Sequence, residues 1–254
     1  MQLFKLALLM VLLSGCNVLD YFQHTPRNLY VVVVLDTTFD RNAPTSVARF
    51  VENQLRERTD LTDNYASFYD GVTVEVIPIT GTMYSSPQQI TLPPVSSMIE
   101  VNEAARLTET KTFFTEELPE IFATATTMTG DTAHTWLYKP LLEHLRQPLD
   151  TAYTETLTYL FTDALENGAV SFYPFRTNPD GIMQSYGTLS ERFIEHYGVC
   201  PPLEGRTLTL VHTPSVKDQY LFDQSRQFFE RFIKEHGGIP VYKPAPAPTI
   251  TANK

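Results

Sequence analysis

The stretch LYVVVVLDTTFD, residues 29–40, decides the fold. Val31 to Leu35 form an unbroken apolar run, β-branched at every position but the last. A run of this kind suits a central strand covered on both faces. Asp36 closes the run, two threonines follow, and Asp40 adds a second carboxylate. A carboxylate at the end of a buried strand loses hydration and needs a partner or a task. Residues 36–40 are therefore the first place to look for a site.

The pattern on either side of this stretch alternates strand and helix. The spacing of Val47, Phe50, Val51 and Leu55 predicts a helix over 44–58, and GVTVEVIPIT (71–80) reads as a strand. QQITLP (88–93) is placed as its hairpin partner. A helical pattern covers 100–127 with a break at Pro119, and a helix over 135–145 is kinked or begun near Pro140. TLTYLFTD (156–163) is a second strand ending in an aspartate. Helices over 189–197 and 218–236 and short strands at 207–213 and 239–242 complete the chain. This order implies an α/β fold of three layers, a mostly parallel central sheet with helices on both faces. In such sheets ligands bind beyond the carboxyl ends of the strands, at the point where strand order reverses. Asp36 and Asp163 both fall there.

Acidic residues outnumber basic ones 29 to 19 in the 254-residue chain, a net charge of −10. That argues against a general affinity for nucleic acid or anionic membrane surfaces and leaves cation binding open. No phosphate-binding glycine loop and no nucleophile elbow is present. The six histidines show no zinc spacing, and His134 and His144 are expected at the surface. Cys200 is expected to be a buried core residue or an incidental loop thiol.

The N-terminus carries Lys5 and then an apolar run, Leu6 to Leu13, too short to span a bilayer. Leu13-Ser14-Gly15-Cys16 resembles the lipobox of bacterial lipoproteins. The resemblance implies a signal peptide over 1–15, acylation of Cys16 and a lipid anchor in the cell envelope. The same resemblance, extended to the sorting rules of enterobacterial lipoproteins, implies that Asn17 at the next position favours the outer membrane. Residues 16–28 are then a tether, 29–243 one domain, and 244–254, KPAPAPTITANK without its first residue, a flexible tail.

Carboxylates about 4 Å apart repel by roughly 4 kcal/mol at an effective dielectric near 20. Asp36, Asp40 and Asp163 in one crevice would need a proton, a base or a cation, and hard oxygen ligands favour Mg2+, Mn2+ or Ca2+. The strand ending in LDTTFD resembles the Asp-x-Ser-x-Ser motif of the von Willebrand factor A domain. YLFTDALENG (159–168) resembles that family's strand-Thr-Asp-Gly motif. MTGDTAHTWLYKPLLEHL (128–145) resembles the loop and helix start that carry its metal-binding threonine. The resemblance implies a metal-ion-dependent adhesion site made by Asp36, Thr38, Thr132 and Asp163, with Thr135 in reserve for Thr132. Asp40 stands where a second serine is usual, and Ala164 where glycine is usual. On this reading the chain is not an enzyme but a membrane-anchored domain that binds an envelope or surface protein, within an envelope, secretion or conjugation assembly. Two alternatives stay open: an Mg2+-dependent phosphoester hydrolase of haloacid-dehalogenase type, for which Thr38 stands where an aspartate is wanted, and a metal-free structural lipoprotein. SFYPF (171–175) is expected on the same rim as the site.

Overall fold

In the computed structural model the described residues are 26–37, 44–80, 83–84, 86–95, 102–127 and 136–245. Cys16, Thr38, Asp40, Thr132, His134 and Thr135 lie outside them.

The apolar run does form the central strand. β1 (Asn28–Asp36) pairs in parallel with β2 (Gly71–Thr80) on one side and with β5 (Glu155–Phe161) on the other. Every residue from Val31 to Leu35 is fully buried. β3 (Met83–Tyr84) and β4 (Gln88–Leu92) both run antiparallel to β2. β6 (Thr207–Val211) and β7 (Ile239–Lys243) extend the sheet in parallel beyond β5. The order among the described residues is β3-β2-β1-β5-β6-β7, with β4 also beside β2. The chain builds outward from β1 to one side, then crosses to build the other, so strand order reverses between β1 and β5.

Two apolar clusters, one on each face of the sheet, make the three layers. Leu29, Val31, Val33 and Leu35 point to one face, where α1 (Pro44–Arg56) and α3 (Leu118–Thr127) cover them. There the Phe50 ring meets Tyr159 and Phe161 of β5 edge to face, each at 5.3 Å. Val32 and Val34 point to the other face. They pack in the cluster built from α4 (Tyr138–Leu145), α5 (Asp180–Gln184), α6 (Tyr186–Tyr197) and α7 (Gln219–Glu235). Phe172, Phe193 and Phe228 form the centre of that layer.

Both predicted proline features have a structural form. α2 (Glu103–Thr112) runs into a five-residue π-helical turn, Phe113–Glu117, whose wider loop ends with Leu118 N–H on the Phe113 carbonyl. A regular helix would drive the Pro119 ring into the carbonyl four residues back, and the extra residue makes room. Pro140 sits in the first turn of α4, where backbone N–H groups have no intrahelical partner anyway. Three details differ from the sequence reading. β5 ends at Phe161, so Asp163 lies in the loop beyond it. The short elements α5 and β3 escaped notice, because neither carries enough periodicity to register. The third difference is His144, which is buried in the core and not at the surface.

His144 follows Leu137 by seven residues and Leu141 by three, which puts it on the apolar stripe of α4. It is 5 % exposed, and neither ring nitrogen has a hydrogen-bond partner. Burial, helped by the nearby Arg206 guanidinium, pushes its pKa from 6.5 down to about 4. The unfolded chain therefore takes up the proton first. Stability should fall as pH drops from about 6.5 to about 4, by up to about 3 kcal/mol. His144→Phe removes the proton acceptor and should remove this acid-side loss. Urea midpoints of both proteins across that range measure the difference, and parallel curves would contradict the isolation of the ring.

Candidate metal centre at the strand ends

Parallel pairing fixes where the two described acids stand. Leu35 is level with Phe161, so Asp36 is level with Thr162 and Asp163 is one residue beyond. On the other side Asp36 is level with Ile79 of β2. Immediately after it, Thr37 donates to the Ile79 carbonyl from both its amide, 3.3 Å, and its hydroxyl, 2.7 Å. The backbone is thus held to β2 for one residue past the strand, which keeps the Asp36 side chain at the rim.

Asp36 is 1 % exposed, and the equally buried Thr162 donates its hydroxyl to Asp36 Oδ2 at 3.1 Å. That hydroxyl also accepts the Ala164 amide at 3.2 Å. Asp163 accepts the Leu165 amide at 2.9 Å, which curls the loop tightly back over the strand end. Burial first, and the Asp36 carboxylate second, raise the Asp163 pKa from 3.8 to about 7; the Leu165 amide and Arg176 pull it the other way. The register and this influence of Asp36 on Asp163 put the two acids at the same end of the sheet.

The curl has a backbone cost. Ala164 adopts φ +58°, the left-handed region where a Cβ is crowded, and it is fully buried. For a residue other than glycine this conformation costs roughly 1–2 kcal/mol. Ala164 thus takes a turn conformation that glycine adopts without strain. Burial of the methyl group offsets part of the strain.

Glu166 is the residue that sequence reasoning missed. It is fully buried in the same loop. Its Oε2 accepts the Tyr138 amide at 2.8 Å and its Oε1 the Tyr197 hydroxyl at 3.2 Å; the Leu137 and Gly168 amides also donate to the carboxyl group. Burial raises its pKa to about 8 against the pull of these four donors. Tyr138 opens α4, so Glu166 serves as a remote cap for that helix, in place of the side-chain cap that Leu137 cannot provide. A Cβ on Gly168 would come within 2.6 Å of Glu166 Oε1 and 2.5 Å of the Tyr197 hydroxyl, so a larger residue there would displace the Glu166–Tyr197 pair. No local sequence signal marks a glutamate destined for this role, because three of its four partners, Leu137, Tyr138 and Tyr197, come from segments about thirty residues away.

The structure thus brings Asp36 and Asp163 together and leaves Thr38, Asp40 and Thr132 outside the described residues. Among the described residues no three His, Cys, Asp or Glu side chains converge to hold a metal ion. The two acids suit a hard divalent cation: both offer carboxylate oxygens, and their repulsion is what such a charge would relieve. Of the aromatic stretch at 171–175, Phe172 is core, while Tyr173 is exposed with Arg176 stacked 3.9 Å over its ring. The field of Arg176 at Asp163 places this part of the loop near the acids. Cys200 is buried, and burial raises its pKa to about 11, so its thiol is inert.

No known family and no curated protein matches the sequence. Among solved structures, the human COPII-coat protein Sec24c aligns at 13 % identity and a TM-score of 0.35, over 87 % of this chain and 30 % of that one. Proximal thread matrix protein 1 from the mussel byssus aligns at 11 % identity and a TM-score of 0.37, over 86 % of this chain and 44 % of that one. The chain spans less than half the length of either. Similarity this slight assigns no activity.

Glu166→Ala should cost more than about 3 kcal/mol, since it strands buried N–H donors at the start of α4. Glu166→Gln, which keeps the shape and an acceptor, should cost less than half as much. Chemical denaturation of both variants measures this, and equal losses would show that volume rather than the hydrogen bonds matters.

Proposed function

We propose that this chain is a von Willebrand factor A-like interaction domain, carried on a bacterial lipoprotein and offering a divalent-cation site to a partner protein of the envelope or cell surface. The observation that carries the reading is the position of Asp36, at the carboxyl end of β1, and Asp163, two residues past β5, where strand order reverses. Counting the antiparallel edge as the third strand, the sheet follows the doubly wound order 3-2-1-4-5-6 named for nucleotide-binding folds. That order supports the same placement of a ligand. Glu166 adds a second support: it ties the loop of Asp163 to Leu137 and Tyr138, five and six residues after Thr132.

In this reading Asp36, Thr38 and Thr132 hold the cation directly or through water, and Asp40 and Asp163 complete the shell. The cation would be Mg2+, with Mn2+ or Ca2+ as substitutes, and it would supply a positive centre for an acidic group of the partner. Anchorage through Cys16 would place the crevice at a membrane surface, in the outer membrane by the residue at position 17. The domain would bind and not catalyse.

A metal-free structural role is the second reading, and one observation favours it. The Thr162 hydroxyl already satisfies part of Asp36, and a proton on Asp163 would remove the repulsion without a cation.

Melting curves in EDTA and in millimolar Mg2+, Mn2+ or Ca2+ separate the two. A cation bound only by the folded state adds about 2.7 kcal/mol at a hundredfold excess over Kd, a rise of roughly 5–10 °C for a domain of this size. Asp36→Asn and Asp163→Asn should each abolish the rise. Identical curves with and without cation would leave the structural reading. Mg2+-dependent release of phosphate from an aryl phosphate, lost in Asp36→Asn, would instead establish a hydrolase.

A further inference from the structure

The opposite end of the sheet holds a feature that the strand-end acids do not explain. A cavity of about 230 Å3 opens beside the amino ends of β1 and β5 and beneath the end of α4. Tyr30 in its wall is six residues before Asp36 on β1, roughly 20 Å away at about 3.3 Å per residue. Arg206, just before β6, reaches into the lining and is 8 % exposed. Its guanidinium donates to the Gln147 carbonyl, and among the described residues no carboxylate pairs with it. His144, also in the lining, is buried with both ring nitrogens unpartnered.

Arg206 has five N–H donors and the Gln147 carbonyl takes one of them, which leaves donors facing the cavity. Folded proteins satisfy such a group with a carboxylate, ordered water or a ligand. The rest of the lining is suited to a small polar guest. Tyr30 and Tyr153 stack at 4.8 Å as one wall, and Thr156 adds a hydroxyl. The Tyr30 hydroxyl is turned away, donating to Glu75, and the Tyr153 hydroxyl is given to Thr73 at 3.3 Å. Neither competes for Arg206. Asp150 is the one anion of the lining, and its Oδ1 is occupied by the Ala152 amide at 2.8 Å.

We infer that this cavity is a binding site for a small oxyanion, a carboxylate or phosphate group, seated on Arg206 against the Tyr30–Tyr153 wall. The fork of a guanidinium matches two oxygens of either group. The volume lies below that of drug-sized pockets, so the guest is a small molecule or the end group of one. The site is independent of the strand-end acids and of any cation there.

The test is melting and calorimetry of the intact chain in EDTA, with inorganic phosphate, acetate and chloride compared at equal ionic strength. Phosphate or acetate should raise the Tm saturably with one site per chain, and the stronger of the two identifies the oxyanion. Arg206→Gln should abolish the rise and Arg206→Lys should keep a weakened one. Asp150→Asn leaves Arg206 intact and removes the competing charge; it should tighten binding by up to about fivefold, the worth of one charge pair in water. Equal effects of all three salts would overturn the assignment, as would an unchanged rise in Arg206→Gln.

Discussion

The parallel pairing of β1 with β5, Leu35 level with Phe161, is the contact on which the site depends. It sets Asp36 beside Thr162 and within the field of Asp163. The alternation of side chains makes the register strict. A slip by one residue would turn Val31, Val33 and Leu35 away from Phe50 and Val51 and into the opposite layer. Burial on both faces therefore does more than hold the sheet together. It fixes, to within one residue, which side chains reach the rim.

Around that contact the loops after β1 and β5 hold their acids by short local hydrogen bonds. Thr37 is bound to Ile79, Thr162 bridges Asp36 to the Ala164 amide, and Leu165 caps Asp163. Glu166 then fastens the same loop to the first residue of α4 and to Tyr197 of α6. The strained Ala164 and the overcrowded Gly168 bracket this buried glutamate. Such a loop is stiff, and stiffness is what a cation site or a docking surface requires. The cavity at the far end has the opposite character: its lining carries the guanidinium of Arg206, where the rim carries the carboxylates of Asp36 and Asp163.

Much of this was legible in the sequence, for identifiable reasons. A run of valines has one comfortable setting, a strand buried on both faces, so β1 followed from residues 29–35, and the layers followed from the alternation of strands and helices along the chain. Val47, Phe50, Val51 and Leu55 set α1 by spacing. Asp163 was found because it closes a strand-like run, although the strand stops two residues earlier. His144 was misplaced because its polarity was weighed above its position, seven residues after Leu137 on an apolar stripe. Glu166 could not be read at all: its burial is created by Tyr138, Tyr197 and Gly168, which meet only in the folded chain. Thr38, Asp40 and Thr132 remain expectations of the sequence, outside the described residues.

The central claim is that Asp36 and Asp163 share one crevice and act on each other. A double-mutant cycle measures this directly, with Asp36→Asn, Asp163→Asn and the double variant compared by urea unfolding in EDTA. Two facing carboxylates should give a coupling of about 1–3 kcal/mol, each neutralisation mattering less once the other is made. Additive effects, within a few tenths of a kcal/mol, would mean the acids do not meet.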